Sequence, residues 1–180
     1  MNKFEEKTIE TEEIYDGQVV KLRVDKVMLP NSQTSKREVI THQGGVAVIP
    51  VTKDNKILFV KQYRKPIESS LIEIPAGLID AGEKPATTAV RELEEETGYT
   101  TKKLTFVTSF HPSPGYTDEL IHIYYTDELE LLKEPVPGDE DEFVEVIELT
   151  LKEAKEYVKQ QRIHDAKTNY AVLYLESIGI

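Results

Sequence analysis

The sequence predicts an α+β fold: a mixed β-sheet with helices on both faces, preceded by a small antiparallel β ribbon. Three observations carry this. Short alternating or wholly apolar runs, bounded by turn residues, recur along the chain as strands do. Helical spacing shows in three segments, one central and two at the C-terminal end. Strands and helices interleave without regular βα alternation, which points to a mixed sheet.

Residues 18–29 (QVVKLRVDKVML) alternate, with Val20, Leu22 and Val24 on one side and Lys21, Arg23 and Asp25 on the other. That is the pattern of a half-buried strand. The turn-rich LPNSQTS follows, then KREVITH as a second short strand. Together they form the N-terminal ribbon, taken as residues 1–42. Two strands alone are marginal in water, so the ribbon needs a packing partner, such as a second subunit. Residues 43–180 then form the main domain. Gly44-Gly45 opens VAVIPV, suited to a central strand, and Lys53-Asp54-Asn55 is a polar turn into the strand KILFVKQY. After a loop with Pro66, LIEIPAG is a short strand that runs into an acidic segment. Pro85 suits the first turn of a helix. Ala86, Ala89, Val90 and Leu93 recur at i, i+3, i+4 and i+7, and Gly98 fits the C′ position that ends the helix. LTFVTSF and ELIHIYY are strands flanking the loop HPSPGYTD. VPGDEDE is an acidic loop and FVEVIEL a final strand. LKEAKEYVKQQ and AKTNYAVLYLESI are two closing helices.

Composition narrows the function. The 180 residues carry 22 basic and 33 acidic side chains, a formal net charge of −11. A nucleic acid or an anionic membrane is therefore not expected as the main partner. The absence of cysteine removes disulfides, thiolate metal sites and cysteine nucleophiles, and fits a reducing compartment. MNKFEEKTIE has no apolar core of a signal peptide, and the longest apolar run is far too short to span a bilayer, so a cytoplasmic protein is expected. The four histidines are too scattered for a zinc site, and no Gly-x-Ser-x-Gly segment supports serine catalysis.

The most informative segment is the central helix, whose C-terminal end holds Glu92, Glu94, Glu95 and Glu96. Negative charge at that end opposes the helix dipole by roughly 0.3–1 kcal/mol per group. The i,i+4 pair Glu92 and Glu96 adds roughly 0.2–0.5 kcal/mol of repulsion. At about 100° per residue, Glu92 and Glu96 fall about 40° apart on one flank of the apolar stripe. They can share a cation, with Glu95 close by. Clustered carboxylate oxygens favour the hard ions Mg2+ or Mn2+.

The segment from Gly77 to Tyr99 resembles the signature of the Nudix hydrolases, matching at Gly77, Glu83, Arg91, Glu92, Leu93, Glu95, Glu96 and Gly98, with Tyr99 where an aliphatic residue is commoner. The resemblance implies a Nudix α/β/α sandwich and Mg2+-assisted hydrolysis of a nucleoside diphosphate linked to another moiety. It implies that Glu92 and Glu96 are metal ligands, with Glu95 at or next to the ion and the carbonyl of Ala76 as a further ligand. It gives Arg91 the role of orienting Glu95, and Glu83 that of holding the loop by hydrogen bonds.

Other segments resemble the ADP-ribose pyrophosphatase branch of that family. They are Glu12 to Gly17, Leu29-Pro30-Asn31, Arg37-Glu38, the QYR of Gln62 to Arg64, Pro114 fifteen residues after Tyr99, and Ile163 with Asp165-Ala166-Lys167-Thr168. This likeness implies that Arg64 contacts the diphosphate or ribose. It implies that Arg37, from either subunit of a homodimer, meets the adenosine end, with Pro114 and Gly115 also lining the substrate site. The catalytic base is expected in the acidic loop: Glu140, with Glu142 as the alternate or as a metal contact. The substrate implied is ADP-ribose. The same chemistry on GDP-mannose, or a non-catalytic nucleotide-sensing module, are the alternatives.

Overall fold

The computed structural model describes residues 3–138 and 143–180. They form two compact units: the described residues up to Gly44 together with His111–Leu120, and the described residues of Gly45–Phe110 and Ile121–Ile180.

The first unit is an antiparallel sheet of three strands in the order β1-β2-β3, namely β1 Lys7–Asp16, β2 Val20–Met28 and β3 Thr34–His42. The two-strand ribbon expected from sequence thus gains a third strand. β1 was not legible because Ile9 and Ile14 are five residues apart, which breaks alternation, and all ten of its residues are exposed. The alternation in β2 also misassigned one residue. Asp25 is buried, at 7% exposure, because Thr11 Oγ1 donates to it at 2.7 Å and Arg23 Nε at 3.2 Å. A polar residue with its partners supplied can be buried. The 111–120 segment joins this sheet, with Ile40 N donating to Tyr116 O and the His42 N–H to Asp118 Oδ1.

In the second unit the remaining strands are β4 Gly45–Pro50, β5 Lys56–Arg64, β6 Ser69–Glu73, β7 Ala76–Leu78, β8 Tyr99–Thr101, β9 Thr105–Phe110, β10 Ile121–Thr126, β11 Leu129–Leu131 and β12 Glu145–Thr150. The helices are α1 Pro85–Thr97, α2 Leu151–Lys159 and α3 Ala166–Ile178. The sheets are β7-β4-β10-β9, β12-β5-β6 and the short pair β11-β8. β4 and β10 run parallel, with Gly45 opposite Ile121, while every other named pairing is antiparallel. The segment LIEIPAG is divided between β6 and β7, the break falling at Ile74 and at Pro75, which has no N–H for a ladder.

β4 shows why helices cover both faces. All six of its residues are buried. Val46 and Val48 pack with Ala89 and Leu93 of α1. Ala47 and Ile49 pack with Ala154 of α2 and Ala171, Val172 and Leu175 of α3. Period-two alternation thus sends one set of side chains into each layer of an α/β/α sandwich. No helix among the described residues is long and apolar enough to cross a membrane.

Candidate active site

α1 places the acidic residues. Pro85 starts it as expected, and Gly98 ends it in the left-handed conformation (φ 73°), its N–H donating to Glu94 O at 2.9 Å. Ala89 and Leu93 are fully buried. Because Glu92 and Glu96 sit beside that stripe, they are carried inward too, to 6% and 3% exposure. No basic residue stands in the last turn of α1. Buried carboxylates at the negative end of a helix require compensation.

Part of it comes from Arg91. Its Nη1 lies 2.8 Å from Glu92 Oε1 and donates to Glu95 Oε2 at 2.9 Å. Its Nη2 donates to Leu78 O at 3.2 Å and to Glu83 Oε2 at 3.3 Å. Burial works against the guanidinium charge, but the Glu83 hydrogen bond and the charges of Glu92 and Glu95 outweigh it and raise the Arg91 pKa. Glu83 also accepts from Thr88 Oγ1 at 2.9 Å, and these bonds hold its carboxyl below the ordinary range. Glu96 is fixed separately: the Ala76 N–H donates to Oε2 at 2.9 Å, and Gln62 Nε2 reaches Oε1 at 3.5 Å.

β7 approaches α1 so closely that a Cβ on Gly77 would lie 2.0 Å from the Glu92 carboxyl carbon. Backbone, Glu92, Glu95 and Glu96 are therefore gathered at one end of β7. Glu83, Glu92 and Glu95 share one guanidinium, with Asp80 3.8 Å from it, and Glu96 is held by the Ala76 N–H. The donor set is all oxygen and carries surplus negative charge, which fits a hard divalent cation. Among the described residues no three of these carboxylates are placed to hold a metal ion together as they stand; Arg91 Nη1 sits between Glu92 and Glu95.

The structure brings Ala76, Arg91, Glu92, Glu95 and Glu96 together, with Arg64 near enough for the Glu96 charge to act on it. Arg64 ends β5 and is forked onto Glu73, Nε to Oε1 and Nη2 to Oε2, both at 2.8 Å. Glu73 is 1% exposed. Burial pushes its pKa up, but Arg64 and Lys167 outweigh that and bring it down to about 2. Sequence reasoning assigned no role to Glu73. The available signal was a glutamate between isoleucines in a short apolar strand, a charge that cannot be buried without a partner. Arg37, Pro114 and Gly115 belong to the first unit, where they line one cavity of about 490 Å3 with Glu6, His111 and Tyr116. Arg37 is forked onto Glu6, at 2.8 Å from Nε and 2.6 Å from Nη2. Glu140 and Glu142 lie outside the described residues.

Comparison with known proteins gives four findings. The chain is 57% identical over 173 residues to a protein of Bacillus methanolicus named methanol dehydrogenase activator, covering 96% of this chain and 94% of that one. It is 53% identical over 176 residues to a protein of Bacillus subtilis (strain 168) named ADP-ribose pyrophosphatase, covering 98% and 95%. A crystal structure described as an ADP compounds hydrolase superposes with a TM-score of 0.85 at 22% identity, over 97% of this chain and 96% of that one, and so shares the fold. The NUDIX domain family matches residues 41–170. That span takes in β4 to β12 and the acidic helix, and with it the chain belongs to the NUDIX domain family.

Proposed function

We propose that this protein is a hydrolase that splits the diphosphate of ADP-ribose into AMP and ribose 5-phosphate, using Mg2+ or Mn2+. The observation that carries the reading is the 53% identity, over 98% of the chain, to the relative named ADP-ribose pyrophosphatase. Glu92, Glu96 and Glu95, with the Ala76 carbonyl, would hold the cation. When bound it neutralises phosphate charge and lowers the pKa of a water. Arg91 holds Glu95 in place, while the Ala76 N–H and Gln62 hold Glu96. Arg64 meets the diphosphate, and Arg37, from either subunit of a homodimer, meets the adenosine end, with Pro114 and Gly115 as further substrate contacts. Glu140, or Glu142 in its place, takes the proton as the water oxygen bonds to phosphorus and the bridging P–O bond breaks.

Residues 1–42 serve to pair two copies and residues 43–180 carry the reaction. The exposed Ile9, Ile14 and Tyr15 on β1 support pairing. The lack of cysteine supports a cytoplasmic setting. A regulatory, nucleotide-sensing role is the second reading, favoured by the relative named as an activator.

The test is turnover of ADP-ribose and GDP-mannose with Mg2+, compared as kcat/KM. Preference for ADP-ribose is expected, and binding without turnover would favour the sensor. Glu96→Gln is expected to cut kcat by about 10²-fold or more while the circular dichroism spectrum is unchanged. A wild-type rate in that variant refutes the metal role of Glu96.

A further inference from the structure

Two neighbouring strands and the start of a helix distant in sequence meet at one buried carboxylate. Arg64 comes from the end of β5, Glu73 from the end of β6, and Asp165, Lys167 and Thr168 from the start of α3. Arg64 forks onto Glu73, and Lys167 Nζ bonds to the same Glu73 Oε2. Lys167 also donates to Asp165 Oδ2 at 2.7 Å. Asp165 caps α3, accepting from the Thr168 N–H at 3.0 Å, and Thr168 Oγ1 accepts from the Ile74 N–H at 3.0 Å. The cluster holds two cations and two anions and is neutral. Glu73 and Lys167 are enclosed, with side chains 1% and 12% exposed, whereas the Arg64 side chain is 40% exposed. Arg64 Nη1 makes no hydrogen bond among the described residues.

An enclosed ion cluster is a poor source of stability, since well-packed apolar residues of similar volume serve as well or better. It does fix geometry. A bidentate fork sets both the position and the plane of a guanidinium, which a lone flexible arginine does not hold. Here the fork uses the Nε and Nη2 edge of Arg64 and leaves Nη1 for another acceptor, and the guanidinium lies close enough to Glu96 to feel its charge. We propose that Glu73 is a positioning residue: it holds Arg64 so that the unused edge of the guanidinium faces the diphosphate of the substrate, and Lys167 and Asp165 hold Glu73 in turn. This rests on the reading of the protein as an ADP-ribose hydrolase. It gives the Asp165 to Thr168 segment a purpose, since those residues tie α3 to the strand that carries Glu73.

The test uses the full chain with Mg2+ and ADP-ribose. Glu73→Gln removes the acceptor charge, and Glu73→Asp keeps the charge but withdraws it by one methylene. Each is expected to raise KM about tenfold with kcat within about threefold of wild type, the loss expected when a substrate-positioning contact is misplaced. In an Arg64→Ala background the same Glu73 changes are expected to alter KM less than about twofold, because Glu73 acts through Arg64. An unchanged or lower KM in folded Glu73→Asp overturns the proposal, as does an undiminished KM effect in the Arg64→Ala background. If the wild-type chain does not split ADP-ribose, the functional reading fails with it. An active wild type whose KM is insensitive to Glu73 sinks the positioning role alone.

Discussion

Replacing Gly77 by alanine tests the site at its tightest point. The backbone of Gly77 does not lie in the left-handed region, so alanine is conformationally allowed there. The added Cβ would meet the Glu92 carboxyl carbon and Oε1 at 2.0 Å and Oε2 at 2.3 Å. To regain an ordinary contact of ~3.5 Å the carboxylate must retreat by about 1.5 Å. Glu92 ends a flexible side chain, so the fold can absorb this by a change of rotamer. The proposed cation site cannot, because a displacement of about 1 Å is enough to cost about 10²-fold in rate. Gly77→Ala is therefore expected to lower kcat/KM for ADP-ribose by about 10²-fold and to weaken Mn2+ binding. Its melting temperature should stay within about 3 °C of wild type, the shift that about 1 kcal/mol gives in a chain of this size. AMP release measured by chromatography, alongside a thermal melt, reads both quantities. A wild-type rate in a folded Gly77→Ala protein would refute the placement of Glu92 at the reacting centre.

The opposite outcome is expected at Gly98. Nothing lies within 4 Å of a Cβ there, but φ is 73°, so Gly98→Ala should cost about 1–2 kcal/mol and lower the melting temperature by about 2–8 °C. An unchanged melt would contradict the left-handed cap. Glu73 should leave an acid-linked signature. Its folded pKa of about 2 lies below the usual 4.5, so its contribution is fully present above pH 4.5 and is lost as the pH falls from 4.5 toward 2. Thermal melts between pH 7 and pH 3 should therefore fall less steeply for Glu73→Gln than for wild type. Parallel curves would show that Glu73 is not the linked group.

Local signals survived best in the fold. The helix from Pro85 to Gly98 could be read to its ends, because a proline, an apolar stripe and a glycine are all local marks. The angular arithmetic that set Glu92 and Glu96 on one flank corresponds to their shared burial. Features that depend on distant partners were not legible. β1 has no buried residue to mark it and exists by pairing with β2. The short strands β8 and β11 pair with each other and carry only three residues each. Asp25 and Glu73 look like surface charges or strand breakers until Thr11, Arg23, Arg64 and Lys167 are brought to them. Arg64 and Arg37, read from the resemblance as substrate contacts, are both forked onto carboxylates within the chain, an arrangement no local pattern announces.

The parallel pairing of β4 with β10 sets a schedule for synthesis. β4 ends at Pro50, and its partner is complete only at Thr126. At 5–20 residues per second the ribosome takes roughly 4–15 s to cover that interval. Through that time the nascent chain carries an entirely apolar strand with both edges naked until β7 is complete at Leu78 and one edge naked thereafter, the kind of surface that invites pairing with a neighbouring chain. Chains stalled before Ile121 are thus expected to depend on chaperones, whereas those released after Thr126 can close the sheet for themselves.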